Sequence, residues 1–296
     1  VHHVTSQPLA ELNRYRAGEL HTTRTIPPGM FRQMQTERPD EVRVSKSMTI
    51  YYYGFNMKDP KFANNPKLRQ ALSLAIDREF ITEEIVGRGE QPAYSWVPPG
   101  IAGYDPRQLP YARLDQEARN RRARELLREA GFDEDNPLRF ELRYNTSDVQ
   151  QSIAVALESM WREVLGAEVT LQNEEFQVLI DNIRQGETEV FRLSWIGDYV
   201  DPQAFLKIFQ SDEPSNLTGY VSAEFDELMR DASEQTDAEN RFIMLGEAER
   251  TVLSDHPAIP IYFYVNKSMV SPRVRGWGDN VMNYHYSHHL SLTPQP

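Results

Sequence analysis

Cysteine is absent from the 296 residues. Disulfide scaffolds, thiol catalysis and thiolate metal sites are excluded together. The absence suits a bacterial periplasm and a cytoplasm equally, so it does not locate the protein. Long apolar runs are lacking too. No stretch approaches the roughly 20 residues that a membrane-spanning helix requires. Val1-His2-His3-Val4 offers neither the basic start nor the apolar core of a secretory signal, although a signal removed earlier would leave the same sequence. Positive charge is in deficit: 32 Lys and Arg face 44 Asp and Glu, a net charge of −12. Such a surface repels phosphate backbones and anionic lipid. Nucleic acid is therefore not an expected partner, and a soluble monomer is.

Enzyme signatures are missing as well. There is no G-x-S-x-G elbow, no phosphate-binding P-loop, no H-E-x-x-H and no complete G-x-G-x-x-G. Gly87-Arg88-Gly89 lacks a third glycine and follows a helical pattern, so it reads as a turn. His285, His288 and His289 cluster in an irregular tail and read as solvated side chains, with no metal and no cofactor expected. His256, at the end of a helix before Pro257, reads as a partner of the helix dipole. A carboxylate pair for glycoside hydrolysis would need a defined gap across a cleft, which spacing alone does not supply. A hydrolase is therefore the alternative class, and a non-enzymatic binding module the main reading.

What is present is an alternation of strand and helix patterns. Helices are expected at 8–17, stopped by Gly18, and from Pro27-Pro28 to Glu37. A long strand is expected at 41–56, through Tyr51-Tyr52-Tyr53. Asn65-Pro66 and Asp77 open two further helices. The proline-rich stretch 91–112 is a long ordered loop. Asp115 opens a basic helix ending at Gly131, with Ala123, Leu126, Leu127 and Ala130 inward. Strands at 138–144, 167–172 and 188–196 alternate with helices at 148–165 and 175–185, the first capped by Ser147 or Asp148. This pattern argues an α/β domain with a largely parallel sheet. Helices near 201–210, 223–234 and 238–254 follow, the last capped by Asp237. Strands at 258–265 and 268–275 complete the pass.

One segment stands apart. At residues 190–206 a strand ends on Trp195-Ile196-Gly197, Asp198 lies just beyond, and Asp201-Pro202 starts the next helix with Asp201 as its cap. Ligands of open α/β sheets bind beyond the carboxyl ends of strands. Arg192 lies six positions before Asp198, roughly 20 Å away if the chain is extended. A carboxylate and a guanidinium at that spacing suit an extended zwitterion. Equally, Asp198 could cap a turn and Arg192 sit on the surface.

Several stretches in order resemble the oligopeptide- and dipeptide-binding proteins of ABC importers, the extracytoplasmic solute-binding family 5. They are NRYRAGEL (13–20), IYYYGFN (50–56), NPKLRQALSLAIDR (65–78), GRGEQPAYSWVPP (87–99), WIGDYVDP (195–202), SNLTGY (215–220) and PIYFYVN (260–266). The resemblance implies the carboxy-terminal portion of such a protein, an α/β lobe of the periplasmic binding protein type II kind with a mixed sheet flanked by helices. Residues 50–266 would form the complete second lobe. Residues 1–49 and 267–296 would be segments of the first, and the hinge would run near Tyr51–Tyr53 and Tyr264–Asn266. It further implies that Asp198 pairs with a peptide's α-ammonium and that Arg192 meets its carboxylate. Ser194 and Ile196 would lend backbone groups, and Trp195 would line a side-chain pocket. Tyr53 and Tyr264 face either the cleft or the core.

The implied role is capture of extended oligopeptides between two lobes and delivery to a membrane permease. The protein would be periplasmic or lipid-anchored on the outer face of the cytoplasmic membrane. Dipeptides, murein peptides, nickel chelates, opines or sugars are alternative cargoes within the family. With half of the cleft wall absent, the isolated chain is expected to bind weakly. Micromolar binding of a mixed tripeptide pool, read by calorimetry, would contradict that expectation.

Overall fold

The computed structural model describes residues 7–294, so the Val1–Val4 start lies outside the described residues. A six-stranded sheet organises the chain. Its strands are β1 (Val42–Phe55), β2 (Gln91–Pro92), β3 (Arg139–Asn145), β4 (Glu168–Glu174), β5 (Val190–Ile196) and β6 (Ala258–Met269), in the spatial order β2-β6-β1-β5-β3-β4. The fold is mixed α/β. The largely parallel sheet expected from the alternation holds only for β5-β3-β4, the product of local strand–helix–strand crossovers. β1 runs antiparallel to both β5 and β6, and β6 antiparallel to β2. Those pairings join segments far apart in sequence, which a local period does not encode.

β1 is central and covered on both faces. Every residue from Ile50 to Phe55 is buried, which explains why the sequence there is a continuous apolar and aromatic run instead of an alternation. β3 has one core face, and Phe140, Leu142 and Tyr144 alternate inward. Helix starts follow the expected chemistry. Asn65, Asp77, Asp115 and Asp237 each accept a hydrogen bond from the backbone N–H three residues on. Gly166 and Gly186 end their helices in the left-handed conformation.

Four expectations are corrected. Pro27-Pro28 opens only a turn, and the helix begins at Phe31. The helix from Asp77 widens after Phe80 into a π-helical segment, Ile81–Val86. The helix at 201–210 is broken into Gln203–Leu206 and a 3-10 turn, Lys207–Phe209. The strand at 268–275 is not continuous. β6 extends to Met269, and Val274–Arg275 pairs separately with Ser291–Leu292.

Buried side chains form two clusters. The larger gathers around β1, β3, β5 and β6. The smaller contains Leu12, Tyr15, Ile26, Phe31, Met34 and Met269. Val42–Lys46 pairs with Val265–Met269 beside the small cluster, and Ile50–Gly54 pairs with Ala258–Phe263 inside the large one. Between them, after Lys46, the register slips. An irregularity of this kind bends the strand and raises its local twist.

The long loop at 91–112 is ordered by one buried carboxylate. Glu249 Oε1 accepts from the N–H of Trp96 (2.9 Å) and Val97 (2.8 Å), and Oε2 from the Tyr104 hydroxyl (2.6 Å) and Arg107 N–H (2.8 Å). Burial pushes this carboxyl up to about 7, against donors that favour the ionised form. Arg78, fully buried, ties the same loop to β6 through Ala93 O (3.0 Å) and Pro260 O (2.8 Å).

Candidate ligand-binding site

β5 is paired with β1 along its whole length but with β3 only at Val190 and Phe191. From Ser194 onward its other edge is open. Parity decides which backbone groups face that edge. Gly197 N–H donates to Met48 O (2.8 Å), so Gly197, Trp195 and Leu193 turn their amides and carbonyls toward β1. Ser194 and Ile196 therefore turn theirs outward, into the unpaired edge. The Ile196 side chain is 66% exposed.

Arg192 stands at the inner end of that edge and is 5% exposed. Its Nη1 donates to Asn145 Oδ1 at the end of β3 (2.9 Å), and its Nη2 to the Tyr264 hydroxyl (3.2 Å). The guanidinium carbon lies 4.4 Å from the Tyr51 ring centroid. Among the described residues no carboxylate pairs with it, and its Nε has no partner. A nearly buried cation without a counter-ion is costly, and an incoming anion relieves that cost.

Asp198 stands at the outer end, just past the last residue of β5, and is exposed. Its turn is held rigidly. Arg241 grips Asp201 with two hydrogen bonds (2.7 and 2.9 Å), and Asp201 Oδ1 accepts from Gln203 N–H (2.9 Å). Gly197 is required where it stands, because a Cβ there would lie 2.7 Å from the Phe205 ring. Trp195 is half-buried, and its Nε1 donates to Ala204 O (2.7 Å).

The residues singled out in the sequence therefore separate. Asp198, Arg192, Ser194, Trp195 and Ile196 line one strand edge and its end. Tyr264 touches Arg192. Tyr53 is fully buried, with its hydroxyl 3.3 Å from that of Tyr51, so its ring belongs to the core. His256 is the left-handed cap that follows the last helical residue, Asp255, but it is buried, and desolvation pushes its pKa down to about 4. Being neutral, it adds no charge to the helix dipole. The His285 ring stacks on Trp277 at 3.6 Å, and the described residues hold no cluster of His, Asp and Glu fit for a metal. Two participants had no sequence signal: Asn145, which anchors Arg192, and Lys207, whose Nζ lies 2.7 Å from Asp198 Oδ2. Asn145 meets the site through tertiary packing, and Lys207 through the turn Lys207–Phe209 that brings it back to Asp198.

Comparison with known proteins places the chain in a family. The family profile described as "Bacterial extracellular solute-binding proteins, family 5 Middle" matches residues 1–216. The periplasmic oligopeptide-binding protein OppA of Salmonella typhimurium is 37% identical over 92% of this chain and 50% of its own length. The periplasmic murein peptide-binding protein MppA of Escherichia coli is 34% identical over 93% of this chain and 51% of its own. The chain thus spans about half the length of the curated relatives it matches. Among solved structures, the unliganded open form of MppA has a TM-score of 0.92 at 34% identity, covering 97% of this chain and 56% of that one. Haemophilus influenzae OppA in complex with the peptide RPPGFSPFR has a TM-score of 0.80 at 33% identity, covering 96% and 56%. With sequence and fold in agreement over nearly all its residues, the chain belongs to the bacterial extracellular solute-binding proteins of family 5.

Proposed function

We propose that this chain supplies one wall of a peptide-binding cleft, in a substrate-binding component that delivers extended oligopeptides to an ABC permease from the periplasmic side. The observation that carries the reading is the unpaired edge of β5, bounded by a carboxylate at one end and an unneutralised guanidinium at the other. A peptide laid along that edge bonds to the backbone of Ser194 and Ile196, as in strand addition. Its ammonium meets Asp198. Its carboxylate meets Arg192 by replacing the longer contact, that of the Tyr264 hydroxyl. Backbone groups and terminal charges are common to all peptides, so such a site accepts many sequences.

The two buried clusters support a division in which 50–266 is one lobe, while 1–49 and 267–296 belong to the other. The slipped register after Lys46 is then the hinge. The higher TM-score with an unliganded open relative than with a peptide complex fits an open arrangement. Among the described residues no helix is long and apolar enough to cross a membrane.

Asp198→Asn tests the reading. A charge-assisted hydrogen bond at an exposed carboxylate contributes about 1.5 kcal/mol, so affinity for a free-ended tripeptide should fall about tenfold. Thermal unfolding should not change. Calorimetry on the protein carrying both lobes measures the first, and an unaltered affinity would reject Asp198 as the ammonium-binding group.

A further inference from the structure

The carboxylate assigned to the ligand is already in contact with a cation. Lys207 follows Asp198 by nine residues, and its Nζ lies 2.7 Å from Oδ2. The same ammonium lies 5.5 Å from the Trp195 ring centroid, so the side chain arches over the indole to reach Asp198. Its position is set by the 3-10 turn Lys207–Phe209, the segment where the expected regular helix is broken. The hydrogen bond to Asp198 holds the Lys207 ammonium above the ordinary lysine range, so it stays charged at neutral pH. Among the described residues only Oδ2 of Asp198 is engaged, and Oδ1 faces no donor.

A lysine ammonium and a peptide α-ammonium are the same chemical group. When a peptide arrives, either it displaces Lys207 and breaks the existing pair, or it shares the carboxylate and leaves two cations on one anion. Both outcomes weaken the grip on the incoming charge, and more so as lobe closure removes water. We propose that Lys207 is a tethered competitor at the ammonium subsite, a specificity-determining residue that narrows the preference for free-ended over amino-blocked peptides. This rests on the reading of Asp198 given above.

The test uses this chain, titrated by NMR with trialanine and with N-acetyl-trialanine at millimolar concentrations. Lys207→Met removes the charge and keeps an aliphatic stem over Trp195. Affinity for trialanine should rise about threefold to tenfold, while that for the acetylated peptide stays the same. Lys207→Arg should keep the wild-type ratio. Asp198→Asn should erase the discrimination in either background. A ratio unmoved by Lys207→Met, with discrimination still abolished by Asp198→Asn, would overturn the competitor role and leave the subsite standing. Discrimination that survives Asp198→Asn would overturn both.

Discussion

Glu249→Leu should destabilise the protein by about 3–5 kcal/mol, the cost of stripping a buried polar network of its acceptor. The three backbone N–H groups of Trp96, Val97 and Arg107 and the Tyr104 hydroxyl would lose their partner inside the core. Leucine cannot accept from any of them. Glu249→Gln keeps one carbonyl oxygen, enough for the Trp96 and Val97 amides, and should cost about 1–2 kcal/mol because Arg107 N–H is then unmet. The pH dependence has a definite sign. Folding raises the carboxyl from 4.5 to about 7, so the folded state holds a proton that the unfolded chain has released. The associated stability, on the order of 3 kcal/mol, is therefore present at acid pH and lost as pH rises from about 4.5 to about 7. Urea unfolding at pH 5 and pH 8 should show this decline in the wild type and a flatter profile in Glu249→Gln. Equal stability of the Leu and Gln variants would refute the network account.

Two buried arginines should behave oppositely, and the contrast separates support from function. Arg78 is fully buried, and its donors reach Ala93 O, Pro260 O, Ser73 O and Ser73 Oγ. Arg78→Met removes the charged donor from those buried acceptors, of which Ser73 Oγ keeps the Tyr111 hydroxyl (2.6 Å), and should cost about 3–5 kcal/mol. Among the described residues Arg192 makes two side-chain hydrogen bonds and a ring contact with Tyr51, with an unpartnered Nε and no carboxylate. Its partners Asn145 and Tyr264 are only partly buried and can turn to water. Arg192→Met should therefore cost less than about 1 kcal/mol in stability, since an apolar side chain of similar length replaces an unneutralised charge. Affinity for peptides with a free carboxylate should nevertheless drop on the order of a hundredfold, reflecting about 3 kcal/mol at a desolvated site. Carboxamide-ended peptides should bind both proteins alike. A variant that unfolds readily, or that binds both peptides equally well, would return Arg192 to a structural role.

Local chemistry was legible in the sequence, and long-range chemistry was not. The caps at Asn65, Asp77, Asp115 and Asp237 are short-range acceptor geometries, and all four are observed. Strand–helix alternation located β3, β4 and β5 and their parallel order. The antiparallel placement of β1 between β5 and β6 depends on pairing across more than a hundred residues, which no local period carries. The aromatic run at Tyr51–Tyr53 marked a strand correctly, yet only the sheet order shows it buried on both faces. At the site, the strand end and its charged neighbours stood out in sequence. The open edge beside Ser194 did not, because it arises where the β3–β5 pairing stops at Phe191. Lys207, partly buried, escaped notice because a single lysine has no pattern of its own.

The central claim is that a peptide adds a strand to the free edge of β5. Residue-resolved amide hydrogen exchange tests it most directly, on the protein carrying both lobes, with and without a saturating tripeptide. The amides of Ser194 and Ile196 should become strongly protected when peptide is added, while Leu193 and Trp195, already bonded to β1, change little. Unchanged exchange at Ser194 and Ile196 in a saturated complex would contradict the account.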